Sequence, residues 1–262
     1  MLEIRNLRKE FGDFVAVEDV TFSLPARGSL AIVGESGSGK TTTARMIAGL
    51  EKPSGGHIVV AGEERGPRRS KPGERRARGQ QIQMVFQDPY SSLDRRQRVG
   101  DAVAEAVALH RRLPADRLRA RVAELLDMVG LDDRQARSLP RALSGGQRQR
   151  VAIARALATE PRVLILDEAI AALDVSIQAQ ILALLARIRA DTGTALLFIT
   201  HDLGAVRHIS DDVLVMRAGR VVEHGPVGSV LDDPQDPYTQ RLIAAIPKPG
   251  WTPRRRANTA AA

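Results

Sequence analysis

The sequence predicts an α/β protein whose core is a parallel sheet covered by helices. Three observations predict it: short runs that are apolar at every position, helical periodicity between them, and glycines at the junctions. Leu30 to Val33 and Val163 to Leu166 are continuously apolar, the pattern of strands buried on both faces. Ala195 to Thr200 begins the same way. Repeated strand–helix–strand order joins these runs, and parallel neighbours need such a crossover to bring the chain back.

Taken in order, Leu2 to Ile4 and Val20 to Leu24 read as short alternating strands. The Leu30 strand leads into GESGSGKT, residues 34–41, and TTARMIAGL then reads as a helix closing near Gly49. Arg65 to Gly79 is basic and rich in Gly and Pro, and is expected to be a mobile loop. From about Asp101 to Leu157 helical spacing dominates; Leu118, Val122, Leu125, Leu126 and Val129 make one apolar stripe that ends at Gly130. We read this stretch as a helical subdomain inserted into the sheet core. After the Val163 strand, Asp174 stands as an N-cap for a helix with Ile177, Ile181, Leu184, Leu185 and Ile188 on one face, stopped by Gly193. The last thirty residues hold DPQDPYTQRLIAAIPKP, a short helix fenced by prolines, and a polar tail expected to be disordered.

Composition excludes several classes. A chain of 262 residues has room for one large domain or two small ones. With 43% hydrophobic and 27% charged residues it is neither disordered nor fibrous. The absence of cysteine rules out disulfides, thiolate zinc and a self-ligated iron–sulfur cluster, and fits a reducing compartment. No signal peptide is read at the N-terminus, and the apolar runs fall far short of the ~18 residues that span a bilayer. The net charge of +8 is concentrated: seven Lys or Arg against one acid lie between Arg65 and Arg78, and Arg254, Arg255 and Arg256 follow in the tail, leaving −1 for the rest. Charge confined to a loop and a tail reads as solvated, and with 3% aromatics stacking platforms are scarce, so nucleic acid is not an expected partner.

Chemistry enters at the first strand–helix junction. Gly34, Gly39, Lys40 and Thr41 match the phosphate-loop pattern, with Gly37 an extra glycine inside it. Glycines let backbone N–H groups curl round phosphate oxygens, and the helix N-terminus adds its dipole. Lys40 is expected to neutralise the β and γ phosphates, and the Thr41 hydroxyl to ligate Mg²⁺. The Val163 strand ends in Asp167, expected to hold the Mg²⁺ shell, and Glu168, expected to act as general base on the attacking water. His201 ends the next strand, where a γ-phosphate contact belongs.

Leu143-Ser144-Gly145-Gly146-Gln147, with Gln87 in VFQDP and Asp174 in AALD, narrows the family. Here the sequence resembles the ATP-binding cassette ATPases, over almost its whole length and in the expected order. The resemblance implies a phosphate-loop cassette with a parallel-sheet core, a small antiparallel β subdomain and an inserted α-helical subdomain. It implies ATP bound through Gly34, Glu35, Ser36, Gly37, Ser38, Gly39, Lys40, Thr41 and Thr42, with Phe11 stacked on adenine. Thr41, Gln87 and Asp167 are implied around Mg²⁺, and Glu168, His201, Gln87 and Lys40 as the catalytic set. Residues 143–147 are implied to grip ATP held by a second cassette, with Asp174 in the loop facing it.

The segments QMVFQDPYSSLD, DVSIQAQIL and DDPQDPYTQRLIAAIP resemble the ATPase components of bacterial dipeptide, oligopeptide and nickel importers; Tyr238 and Thr239 lie in the tail element these share. Three departures stand out: Ala169-Ile170-Ala171 replaces Pro-Thr-Ser, Asp94-Arg95 replaces Asn-Pro, and the C-terminal cysteines of some relatives are missing. The implied division is a cassette over 1–230, with core 1–89 and 158–230 and helical subdomain about 90–157, followed by a C-terminal element over 231–262. The implied role is a peripheral ATPase on the cytoplasmic face of the membrane. Its implied partners are a second ABC ATPase subunit, identical or not, membrane permeases docking near Gln87 and Asp88 to Arg98, and indirectly a solute-binding protein. Two rivals are a soluble cassette protein of DNA repair or translation and an exporter ATPase. The 57 positions between Gln87 and Ser144 leave no room for the long insertions of the first.

Overall fold

A computed structural model describes residues 1–65, 72–88 and 93–245. Its strands are β1 (Leu2–Phe11), β2 (Phe14–Leu24), β3 (Ser29–Val33), β4 (Gly55–Val60), β5 (Glu63–Glu64), β6 (Ile82–Val85), β7 (Val163–Asp167), β8 (Ala195–Ile199), β9 (Asp212–Arg217) and β10 (Arg220–Pro226). Its helices are α1 (Lys40–Ala48), α2 (Pro72–Gln81), α3 (Val99–His110), α4 (Ala115–Met128), α5 (Asp133–Arg137), α6 (Gly145–Leu157), α7 (Val175–Thr192), α8 (Leu203–Ile209), α9 (Val227–Asp232) and α10 (Pro237–Ala244).

The apolar runs occupy the middle of a six-stranded sheet of order β10-β9-β3-β8-β7-β6. Strands β9, β3, β8, β7 and β6 are parallel, with Ala31 opposite Phe198 and Ile165 opposite Leu197. Successive side chains alternate faces. Val163 and Ile165 pack with Ala44 and Ile47 of α1 and with Leu2, Ile4 and Val17 of the small sheet, whereas Leu164 and Leu166 pack with Ile153 of α6 and Leu185 of α7. A third apolar cluster joins Ala31, Val33, Val213 and Val215 to α8, α9 and Tyr238 of α10. Each fully buried Val, Leu or Ile here contributes about 1.5–3 kcal/mol, which is why these strands cannot slip.

The sequence reading is corrected at four places. The sheet is mixed, because β10 folds back antiparallel on β9 through the tight turn at Ala218–Gly219. The N-terminal strands run much longer than Leu2 to Ile4 and Val20 to Leu24. They form an antiparallel sheet of order β2-β1-β4-β5, whose register shifts blur the alternation. The stretch expected as a loop over Arg65 to Gly79 ends in a helix, α2, opened by Pro72; its polar sequence carries no apolar stripe to announce it. The Arg65 guanidinium donates to Arg78 O at 2.9 Å at the end of that helix, and burial beside Arg78 pushes it down to about 10. Asp174 occupies the N-cap position of α7, but its side chain makes no capping bond. Residues 66–71, 89–92 and the tail 246–262 lie outside the described residues.

Between β6 and β7 the described chain is helical: α3 to α6, with the 3₁₀ turn Pro140–Ala142. The stripe of Leu118, Val122, Leu125, Leu126 and Val129 faces this region's core, as its spacing predicts. Asp236 caps α10, accepting from Tyr238 N at 2.7 Å. Among the described residues, no helix is long and apolar enough to cross a membrane.

Candidate functional site

β3 delivers the chain at its carboxyl end into the glycine loop, and α1 begins at Lys40. The loop is pressed against its surroundings. At Gly34, with φ 149°, a Cβ would lie 2.1 Å from the Met216 carbonyl oxygen, so no other residue fits. Gly219 N donates to Ser38 O at 3.0 Å, and Ser38 is buried while Ser36 and Gly37 form the exposed tip. Lys40 is 5% exposed; its ammonium donates to Gly34 O at 2.8 Å and Glu35 O at 2.7 Å. Burial lowers its proton affinity, and the charges of Glu168, Asp167 and Glu35 oppose that. Thr41 and Thr42, half-buried, open the first turn of α1.

Both acids come from the end of β7, two places from β3 across β8. β7 ends at Asp167, opposite Ile199 of β8. The Thr41 hydroxyl donates to Asp167 Oδ1 at 3.0 Å. Burial holds the Asp167 carboxyl above its ordinary range, with Glu168 adding to the rise and the Thr41 bond opposing it. Glu168 turns the chain off the sheet with φ 48°, in the left-handed region, while its N–H donates to Ile199 O at 2.9 Å. Such a conformation costs a non-glycine residue about 1–2 kcal/mol and here aims the carboxylate along the sheet edge. Glu168 Oε1 lies 3.6 Å from Nδ1 of His201, whose side chain is 63% exposed. Lys40, Thr41, Asp167, Glu168 and His201 are thus gathered at one edge, at the carboxyl ends of three adjacent strands, where open α/β sheets place their ligands. Gln87 lies two residues beyond β6, on the same edge, exposed. Phe11 is 48% exposed rather than core, with Lys9 Nζ 4.5 Å from its ring centroid.

The residues 143–147 form a second cluster, at the start of α6. Ser144 caps α6 and accepts from Gln147 N at 3.3 Å, while the Gln147 amide accepts from Ser144 N at 2.9 Å, a reciprocal capping box. Leu143 is buried beneath it. Gly145 rests on Leu173 and Gly146 on Ile177, at the start of α7. The span from Glu168 to Asp174 therefore links the two clusters. Asp174 is exposed beside Val175, which is 81% exposed.

Two contributors lacked an assigned role in the sequence reading. Gln178 Nε2 donates to Ile170 O at 3.1 Å and Leu173 O at 3.0 Å, bracing the span before Asp174. Tyr238, quoted only as a marker in the tail, accepts at its hydroxyl from Glu35 N at 3.0 Å. Each bond joins a side chain to backbone, which residue spacing does not reveal.

This mixed sheet, with its antiparallel companion, its helices between β6 and β7 and its glycine loop facing an acidic strand end, is that of an ATP-binding cassette. The chain belongs to the ABC transporter family, whose pattern residues 17–171 match. It is 49% identical over 232 residues to "Glutathione import ATP-binding protein GsiA" of Escherichia coli K12, and equally so to that of Shigella boydii serotype 4. Those alignments cover 88% of this chain and 37% of the relative, so the chain spans well under half the length of these curated relatives. Among solved structures, cbiO1 of Clostridium perfringens, described as part of the ABC transporter complex cbiONQ, superposes with a TM-score of 0.81 at 32% identity, covering 88% of this chain and 90% of that one. The cassette MJ0796, described as dimeric and bound to ADP and Pi, superposes with a TM-score of 0.75 at 27% identity, covering 87% and 99%.

Proposed function

We propose that this chain is the ATP-binding and ATP-hydrolysing subunit of a bacterial ABC importer for a peptide-like solute, working from the cytoplasmic face of the membrane through separate permeases. The observation that carries the reading is the gathering of Lys40, Thr41, Asp167, Glu168 and His201 at one sheet edge. In this reading the loop from Gly34 to Thr42 cradles the β and γ phosphates, its amides beyond Glu35 and the Lys40 ammonium making the contacts, and Phe11 stacks on adenine. The oxygen donors of Thr41 and Asp167 suit Mg²⁺, and burial leaves the Asp167 carboxylate in need of a cation. With Gln87 on the same sheet edge, these residues would hold an ion that would supply charge neutralisation on the phosphate oxygens. Glu168 takes the proton of the attacking water, and His201 contacts the γ-phosphate.

The capped helix start at Ser144 to Gln147 and the exposed Asp174 fit contact with a second cassette, of the same or another chain. Residues about 90–157 act as the helical subdomain that carries motion to the permeases, and 231–262 as the importer-type C-terminal element. A groove of about 570 Å³ between β6, α3 and α6, onto which Phe86 and Leu109 are exposed, supports permease docking next to Gln87. The relatives named for glutathione import support a peptide-like solute.

Glu168→Gln tests the assignment: Mg-ATP binding is kept while turnover falls by about 10²–10⁴, the contribution of a general base. Full turnover would unseat Glu168. The same variant, held with Mg-ATP and recovered from native extracts, should bring multi-span permeases and a solute-binding protein; ribosomal or DNA-repair proteins would overturn the transport reading while leaving the ATPase site intact.

A further inference from the structure

We infer that Tyr238, on the C-terminal helix, is a positioning residue for the phosphate loop, holding the Gly34–Glu35 peptide in the orientation that tethers Lys40. One peptide unit is gripped at both ends. Its N–H, that of Glu35, donates to the Tyr238 hydroxyl at 3.0 Å, and its carbonyl, that of Gly34, accepts from the Lys40 ammonium at 2.8 Å. Lys40 reaches the next carbonyl, Glu35 O, at 2.7 Å. A flip of that peptide would break both bonds at once and leave the ammonium with one of its two loop carbonyls, Glu35 O.

Tyr238 is itself built to stay in place. Its ring is 4% exposed, packs with Val33, Val213 and Val215 of the sheet, and carries the Arg217 guanidinium 5.1 Å from its centroid. Asp236 caps its helix, and Glu223 receives the amide of Gln235 at 2.8 Å and that of Asp236 at 3.2 Å, fixing the approach from β10. A ring needed only for packing would be served by phenylalanine; the hydroxyl finds its partner in a loop amide whose own peptide carbonyl holds the lysine. The Glu35 amide is thereby engaged by protein, leaving the amides further along the loop for phosphate.

This inference rests on Lys40 binding nucleotide phosphate, and the experiment separates the two. Tyr238→Phe keeps the ring and should raise KM for ATP about 2- to 10-fold, the range of one neutral hydrogen bond, with kcat within twofold and a thermal midpoint lower by no more than about 2–4 °C. Tyr238→Leu should lower the midpoint as well, marking what packing alone contributes. Equilibrium binding of a fluorescent ATP analogue to Lys40→Ala and to Lys40→Ala/Tyr238→Phe should show no further loss in the double variant. An unchanged KM in Tyr238→Phe, a loss that persists undiminished without Lys40, or a fall in midpoint that alone accounts for lost activity would each overturn the positioning role. Unweakened nucleotide binding in Lys40→Ala would instead overturn the proposed site.

Discussion

Gly146→Ala probes the contact between the two clusters, and its cost can be worked from the structure. A Cβ on Gly146 would stand 2.5 Å from Cγ2 of Ile177. Favourable carbon contacts lie at about 3.5–4.0 Å, so about 1 Å of overlap must be relieved. Ile177 cannot swing clear, because a β-branched side chain in a helix is held at one χ1 rotamer. The start of α6 must therefore move off α7, at an overpacking cost of about 1–3 kcal/mol. Replacing a helical glycine returns up to ~1 kcal/mol. At the upper end the balance is a loss of about 2 kcal/mol, or a fall of roughly 4–8 °C in Tm for a chain of this size. Removing Cγ2 removes the cause: in an Ile177→Ala background the same substitution should cost less than about 0.5 kcal/mol, giving a coupling near 2 kcal/mol. Denaturant titration of the four proteins without nucleotide measures this. An additive double variant, or a neutral Gly146→Ala, would refute the reasoning. In the wild-type background ATP turnover should also fall, with nucleotide affinity within about twofold.

Asp167→Asn should stabilise the nucleotide-free protein at pH 7 by about 1 kcal/mol, or 2–4 °C, while weakening Mg-nucleotide binding. Because burial raises the folded-state carboxyl above its usual range, stability is fully present below the unfolded value near 3.8 and is lost as pH rises through the folded one; the advantage of Asn should therefore shrink in acid, where both side chains are neutral. A variant no more stable than wild type at pH 7 contradicts the burial argument. Gln178→Ala should loosen the span between Glu168 and Asp174 by withdrawing the donor to Ile170 O and Leu173 O, costing about 1–2 kcal/mol and speeding amide hydrogen exchange there. Unchanged exchange across 169–174 would mean that Gln178 braces nothing.

What the sequence made legible follows from which forces act locally. Val163 to Leu166 and Leu30 to Val33 announced themselves because the middle of a strand buried on both faces is apolar at every position, polar residues such as Ser29 and Asp167 standing only at the ends. The glycine loop, Asp167 and Glu168 could be placed at one sheet edge from the sequence because each follows directly on such a strand, and both strands run parallel. α2 and β10 were not legible, since one has no apolar stripe and the other sits half-exposed at a sheet edge. Nor was the left-handed turn at Glu168, because a φ of 48° in a glutamate is imposed by the surrounding sheet and not by its own preference. The hydroxyl of Tyr238 lay furthest from view: its partner is 203 positions away.

That distance has a consequence during synthesis. The loop at 34–39 is shaped by Met216 against Gly34, by Gly219 on Ser38 and by Tyr238 on Glu35. A ribosome adding roughly 5–20 residues per second needs about 10–40 s to pass from the loop to Tyr238. For most of that interval the glycines are present but these three contacts are not, and the last of them waits for Tyr238, so a nascent chain exposes the loop sequence without its finished shape. Nucleotide can therefore reward the finished cassette but cannot template its early folding, and a chain released before Tyr238 is made carries the loop without the bond that holds it.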